Sequence, residues 1–248
     1  MKKIVVITGA GRGIGAATAL LAAERGYAVC VNYRQNRSAA DAVVRAIERA
    51  GGSAIAAAAD VSVEEEVVRL FERVDRELGT LTALVNNAGI LETQMRLDEM
   101  SAARINRILA TNVTGPFLCA REAVRRMSTR HGGAGGTIVN VSSGGARSGS
   151  PGEYVDYAAS KGALDTMTVG LAREVAGEGI RVNGVRPAYI YTDIHASGGE
   201  PGRVDRIKAS VPMKRGGQAV EVARAILWLL SDESSYSTGT ILDVTGGS

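Results

Sequence analysis

Tyr157 and Lys161 stand four residues apart in the run Tyr157-Ala158-Ala159-Ser160-Lys161. On a helix that interval places a phenol and an ammonium on one face, a turn apart. A fixed positive charge beside a phenol favours its ionised form and lowers its pKa. The pair therefore predicts a tyrosine able to give and take a proton near neutral pH. Taken alone, it also fits an ordinary solvated pair on an amphipathic helix. Its meaning depends on what else the chain brings to it.

A second chemical feature opens the chain. The run Lys3-Ile4-Val5-Val6-Ile7 reads as a strand and leads into Thr8-Gly9-Ala10-Gly11-Arg12-Gly13-Ile14-Gly15, then an alanine-rich stretch over 16–23. Glycines here let the backbone turn tightly and approach a phosphate, while the helix N-terminus offers free N–H groups and a positive dipole end. Two registers fit: Gly11-x-Gly13-x-x-Ala16 is the general dinucleotide pattern, and Gly9-x-x-x-Gly13-x-Gly15 is a narrower one. The second strand ends at Val31-Asn32-Tyr33-Arg34, where an acid would bind the 2′-hydroxyl of NAD and an arginine the 2′-phosphate of NADP. No acid follows until Asp41. Arg34, together with Arg12 in the loop, predicts NADP(H) in preference to NAD(H).

Positioning these groups requires a scaffold. Short β-branched runs recur at 3–8, 28–33, 53–58, 82–87, 136–142, 180–186 and 240–245. Helical stretches lie between them, near 13–25, 36–50, 63–78, 101–130, 155–177 and 218–231. Ser62 followed by Glu65 predicts a capping box for the third helix. Leu164, Met167, Leu171 and Val175 form an apolar stripe on the fifth. Strand–helix alternation with near-continuous apolar strands predicts an α/β fold, a doubly wound, mostly parallel seven-stranded Rossmann sheet covered on both faces. Its ligands sit beyond the carboxyl ends of the strands. Residues 1–248 read as one domain. The segment 193–216, with Gly198-Gly199-Glu200-Pro201-Gly202, reads as a mobile loop with a short helix that could close over a site.

Composition narrows the function classes. Of 248 residues, 45% are hydrophobic, and the formal charge of +3 comes from 29 basic and 26 acidic residues without a dense basic block. That pattern argues against nucleic-acid or membrane-surface partners. Cys30 and Cys119 read as buried apolar residues of a reducing compartment, and His131 and His195 are isolated, so no metal site is expected. The chain begins on a strand without an apolar leader and has no run long enough to span a bilayer, which predicts a cytoplasmic protein.

Gly9-x-x-x-Gly13-x-Gly15, Asp60-Val61, Asn86-Asn87-Ala88-Gly89, Asn112, Ser143 and Tyr157-x-x-x-Lys161 follow one another at set intervals, and Tyr236-x-Thr238-Gly239 leads to Val244-x-Gly246-Gly247. In order and spacing the whole chain resembles the short-chain dehydrogenase/reductases. It is most similar to the bacterial branch with glucose-1-dehydrogenase-like and 3-oxoacyl-carrier-protein-reductase-like enzymes.

The resemblance implies interconversion of a small-molecule carbonyl and an alcohol. Tyr157 would be general acid/base, and Lys161 would tune the phenol and hold the nicotinamide ribose. Either Ser142 or Ser143, the latter aligning better, would orient the carbonyl oxygen, and Asn112 would hold a water behind Lys161. Further cofactor contacts would come from Ile14 beside the glycines, Asp60 and Val61 at the adenine, Asn87, Ala88 and Gly89 at the ribose, and Pro187, Ile190 and Thr192. The family commonly has Pro-Gly where this chain has Pro187-Ala188, and alanine is less permissive there if φ is positive. Residues 144–155 and 193–216 would wall the substrate pocket, with His195, Tyr189 and Tyr191 as candidate contacts. The resemblance also implies a homotetramer formed through 101–130 and 155–177. Two other classes fit parts of the pattern: a catalytically idle dinucleotide sensor, and a methyltransferase, the latter on the glycine loop alone.

Overall fold

In the computed structural model, which describes residues 3–248, alternate residues of β1 (Lys3–Ile7) enter different cores. Ile4 and Val6 face one side of the sheet, Val5 and Ile7 the other. The chain continues through α1 (Gly13–Glu24), β2 (Tyr27–Tyr33), α2 (Arg37–Arg49), β3 (Ser53–Ala58), α3 (Glu64–Glu77) and β4 (Ala83–Asn86). Then come α4 (Ala102–Leu109), α5 (Gly115–Met127), β5 (Gly136–Val141), α6 (Gly145–Ser148), α7 (Val155–Val175) and β6 (Ile180–Pro187). A short bridge pairs β7 (Ile190–Tyr191) with β8 (Gly217–Gln218), enclosing α8 (Ile194–Ser197) and α9 (Arg203–Ile207). The last elements are α10 (Ala219–Leu230) and β9 (Ile241–Val244).

Seven strands form one parallel sheet in the order β3-β2-β1-β4-β5-β6-β9. The order reverses between β1 and β4, the switch point at which such sheets take their ligands. One core packs Phe71, Met127 and Leu164 against the sheet, and the other packs Ala19, Ala22 and Ile226. The predicted stripe on α7 points into the first of these, with Leu164, Met167 and Val175 buried and Leu171 packed against them.

Three local expectations change. The predicted helix over 101–130 is broken, because a π-helical segment, Ala110–Thr114, separates α4 from α5. Such bulges concentrate at functional sites. The Ser62–Glu65 capping box does not form, since α3 begins at Glu64 without a side-chain cap. Instead the Ser62 hydroxyl donates to Asp60 Oδ1 at 2.6 Å, and the Glu66 carboxylate accepts the Asp60 N–H at 2.7 Å. A full capping box occurs at α10, between Gln218 and Glu221. Segment 193–216 holds two short helices rather than one, and it is tied down by ion pairs of Arg203 and Arg206 with Glu153 and Glu200. Among the described residues no helix is long and apolar enough to cross a membrane.

Candidate active site

A cleft of about 630 Å³ opens at the switch point, beyond the carboxyl ends of the strands. The predicted residues Gly9, Arg12, Gly13, Ile14, Arg34, Asp60, Val61, Asn87, Ala88, Gly89, Ser143, Tyr157, Lys161, Pro187, Ile190 and Thr192 all line it. Gly15 and Asn112 stand behind its wall.

The narrower glycine register accounts for the geometry of the first turn. Gly9 and Gly13 have φ of +63° and +55°, a region that side chains rarely adopt. Gly15 has no room: a Cβ there would lie 2.5 Å from Asn87 Nδ2 and 2.6 Å from the Gly9 carbonyl oxygen. Asn87 braces this turn from β4, its amide donating to the Thr8 and Gly9 carbonyls at 2.9 and 3.1 Å. The Thr8 hydroxyl accepts the N–H groups of Asn87 and Ala88, and Asn32 Oδ1 accepts the Gly9 N–H at 3.2 Å. Sequence reasoning missed Thr8 and Asn32. The signal was a polar residue inside or at the end of an otherwise apolar strand. Gly15→Ala is expected to lower stability by about 1–3 kcal/mol and weaken dinucleotide binding, read by thermal unfolding and cofactor titration. Unchanged values for both would refute a rigid brace at this turn.

The N-terminus of α1 begins at this cradle, with Arg12 at its cap position and no side chain satisfying the first N–H groups. These free donors and the bare backbone of Gly9 and Gly13 fit a pyrophosphate. Arg34 is half exposed and lies 3.7 Å from Asp60, which also accepts the Ser62 N–H. Among the described residues no group of three or more His, Cys, Asp or Glu side chains could hold a metal ion.

At the other end of the cleft, Tyr157 and Lys161 project from the first turns of α7. The Lys161 ammonium sits 5.6 Å from the Tyr157 ring centroid and donates to the Val141 carbonyl at 2.8 Å. Burial, not the ammonium, dominates the phenol. Desolvation raises the Tyr157 pKa above its ordinary value, and the hydrogen bond with the Ser143 side chain pulls the other way. The expectation of a phenol pKa lowered by Lys161 is thus corrected: burial raises it. Lys161 is itself pushed down to about 8 by burial, opposed by the Asp165 carboxylate.

Both serine candidates line the cleft, but their hydroxyls differ. Ser142 is buried and its hydroxyl donates to the Lys161 carbonyl at 3.2 Å, whereas Ser143 is less buried and its oxygen accepts the Gly145 N–H at 3.0 Å. Asn112 is wholly buried in the π-helical segment. Its Oδ1 accepts the Ile90 N–H at 2.8 Å, and its Nδ2 donates to the Ile90 carbonyl and to Ser160 Oγ. The side chain is occupied by protein groups.

Ala188 has no positive φ, so its Cβ costs no backbone strain. The left-handed residue is its neighbour Tyr189, at φ +53°. His195 and Tyr189 line the cleft, but Tyr191 does not: it is exposed, and its hydroxyl donates to Asp205 at 2.9 Å.

The fold and cleft together define a doubly wound dinucleotide-binding protein with a serine, tyrosine and lysine gathered at the far end of its site. Residues 9–248 match the family model described as enoyl-(acyl carrier protein) reductase. The chain is 62% identical to the oxidoreductase YgfF of Escherichia coli strain K12, over 98% of this chain and 99% of that protein. It is 36% identical to the 3-oxoacyl-[acyl-carrier-protein] reductase FabG of Staphylococcus aureus, over the whole of this chain and 98% of that one. A dehydrogenase/reductase from Sinorhizobium meliloti 1021 superposes with a TM-score of 0.91 at 33% identity, over 99% of this chain and 94% of the other. The chain belongs to the short-chain dehydrogenase/reductase family, a family of NAD(P)-binding oxidoreductases.

Proposed function

We propose that this protein is an NADP(H)-preferring oxidoreductase that interconverts a carbonyl and an alcohol, with Tyr157 as its general acid and base. The observation that carries the reading is the gathering of Ser143, Tyr157 and Lys161 on the wall of one cleft, with the Lys161 ammonium 5.6 Å from the Tyr157 ring centroid. The nicotinamide, when bound, supplies or accepts the hydride. Ser143 Oγ holds the substrate oxygen in place, and the Tyr157 hydroxyl gives that oxygen its proton in reduction or takes it back in oxidation. A raised phenol pKa keeps Tyr157 protonated at neutral pH, which suits reduction. Lys161 holds the ribose and steadies the phenolate left after proton donation. Arg12 and Arg34 take the 2′-phosphate, and Asp60 with Val61 meets the adenine.

Residues 1–248 form one dinucleotide-binding and catalytic domain in this reading, with 193–216 as its substrate loop. The exposed Leu109 and Phe117 support a homotetramer assembled through α4, α5 and α7. Free, buried Cys30 and Cys119, their thiols pushed up to about 12, suit the cytoplasm.

Oxidation of NADPH and of NADH with a panel of ketones, aldehydes and oxoacyl thioesters tests the assignment. Turnover with NADPH favoured is the expected result. Tight NADPH binding without turnover on any compound would point instead to a sensor. Arg34→Asp is expected to weaken NADPH binding by about 10–100-fold relative to NADH, the equivalent of one charge-assisted bond. An unchanged ratio of the two affinities would remove Arg34 from the 2′-phosphate site.

A further inference from the structure

Among the described residues, Arg104 and Asp156 form the ion pair with the most deeply buried partners, their side chains 5% and 2% exposed. Arg104 reaches from α4. Its Nε donates to Asp156 Oδ2 at 2.8 Å and its Nη2 to Oδ1 at 3.4 Å, while its Nη1 donates to the Thr93 carbonyl at 2.6 Å. The same Asp156 Oδ1 accepts the main-chain N–H of Tyr157 at 2.9 Å. That N–H lies in the first turn of α7, where no helical carbonyl is available and the Tyr154 cap position supplies no side-chain bond.

The carbonyl of Tyr157 is held as well. It accepts the Ser160 hydroxyl at 2.6 Å, and Ser160 Oγ in turn accepts the Asn112 amide at 3.1 Å. Both main-chain polar groups of Tyr157 are therefore tied to the chain segment running from α4 into the π-helical bulge. One tie runs through Asp156 and Arg104, the other through Ser160 and Asn112. Each also grips the loop after β4: Arg104 at Thr93, Asn112 at Ile90.

A buried ion pair seldom stabilises a fold more than apolar residues of similar volume would. An apolar pair here would fill the space but leave the Tyr157 N–H unheld and Thr93 free. We propose that Arg104 and Asp156 are positioning residues for Tyr157, a buried clamp that fixes the phenol against Ser143 and the loop after β4. The inference rests on Tyr157 as the proton donor. Misplacing a reacting group by about an ångström costs on the order of a hundredfold in rate, so even partial loosening is measurable.

Two variants test the clamp. Arg104→Lys keeps the charge but cannot fork onto both carboxylate oxygens and reach Thr93 together. Arg104→Met with Asp156→Leu replaces the pair by apolar groups and removes the acceptor for Tyr157 N–H. Both are expected to lower kcat about tenfold or more, with NADPH Kd within about threefold. The melting temperature of the double variant should match or exceed the parent's. Hydrogen exchange at the Tyr157 amide should quicken in the double variant. Full kcat in both variants overturns the proposal, as does a loss of kcat that merely tracks lost NADPH binding and lowered melting temperature. Unchanged exchange at Tyr157 in the double variant overturns it too, without any turnover being needed. A parent chain that turns over no carbonyl compound strikes the proposed function instead, and exchange still decides whether the clamp holds Tyr157.

Discussion

Tyr157→Phe is expected to yield a folded protein that binds NADPH as before and turns over ~10²–10⁴-fold more slowly. The substitution removes one oxygen and keeps the ring. The ring's contact with the Lys161 ammonium, 5.6 Å from its centroid, does not depend on the hydroxyl. Nor do the bonds that hold the backbone, since Asp156 and Ser160 grip the N–H and carbonyl of residue 157 whatever its side chain. Ser143 keeps the Gly145 N–H on its oxygen at 3.0 Å, so the loop beside the phenol stays in place. What goes is the proton that must reach the substrate oxygen. Water is a poor substitute, because its pKa is far from neutrality. Single-turnover and steady-state rates with NADPH, beside a melting curve and a cofactor titration, separate the outcomes. Near-parental kcat in a folded variant would sink Tyr157 as the general acid.

The parts of this molecule legible in the sequence are those where a residue type is forced by the backbone or by periodicity. Gly9 and Gly13 are readable because a left-handed turn almost requires glycine, and Gly15 because no Cβ fits between Asn87 and the Gly9 carbonyl. The strands were readable because apolar residues recur on both faces of a buried parallel sheet. Tertiary contacts hid the rest. Asn112 announces a polar residue in a helix, but nothing local shows that it sits in a π-helical bulge with its side chain bonded to Ile90 in the loop after β4. Ser62 and Glu65 have capping-box spacing, yet Asp60 claims the serine and Glu66 reaches back to Asp60 instead. Ala188 departs from the family's glycine and would be strained only at a positive φ, while the left-handed backbone falls one residue later, at Tyr189. Arg104 gives no local signal at all, since its partners are 11 and 52 residues away.

The Tyr157–Lys161 spacing correctly indicated one face of α7 but not its electrostatics, because burial cannot be read from an interval of four. That difference sets up the second large effect, in which activity and stability move in opposite directions. Lys161 has a lysine pKa of 10.5 when unfolded and about 8 in the folded chain, where it is 4% exposed. The unfolded chain therefore binds this proton more tightly than the folded one. Below about pH 8 both states are protonated, and the fold carries the whole cost of the buried charge. From about pH 8 to 10.5 the folded state sheds its proton first, so stability contributed at this site rises with pH. Lys161→Met removes the charge. A shift of that size is worth about 3 kcal/mol, from which the lost hydrogen bond to the Val141 carbonyl subtracts about 1–2. The variant is expected to be on the order of 1–2 kcal/mol more stable at pH 7, while turnover falls by about 10²-fold or more. Denaturant unfolding of both proteins at pH 7 and pH 10 isolates the site. The difference between them should shrink as pH rises, because only the parent gains stability from losing this proton. A variant less stable than the parent at pH 7, with the same rise towards pH 10, would show that the buried ammonium carries no such cost. A more stable but idle variant would mean that the lysine is kept for its chemistry at the expense of the fold.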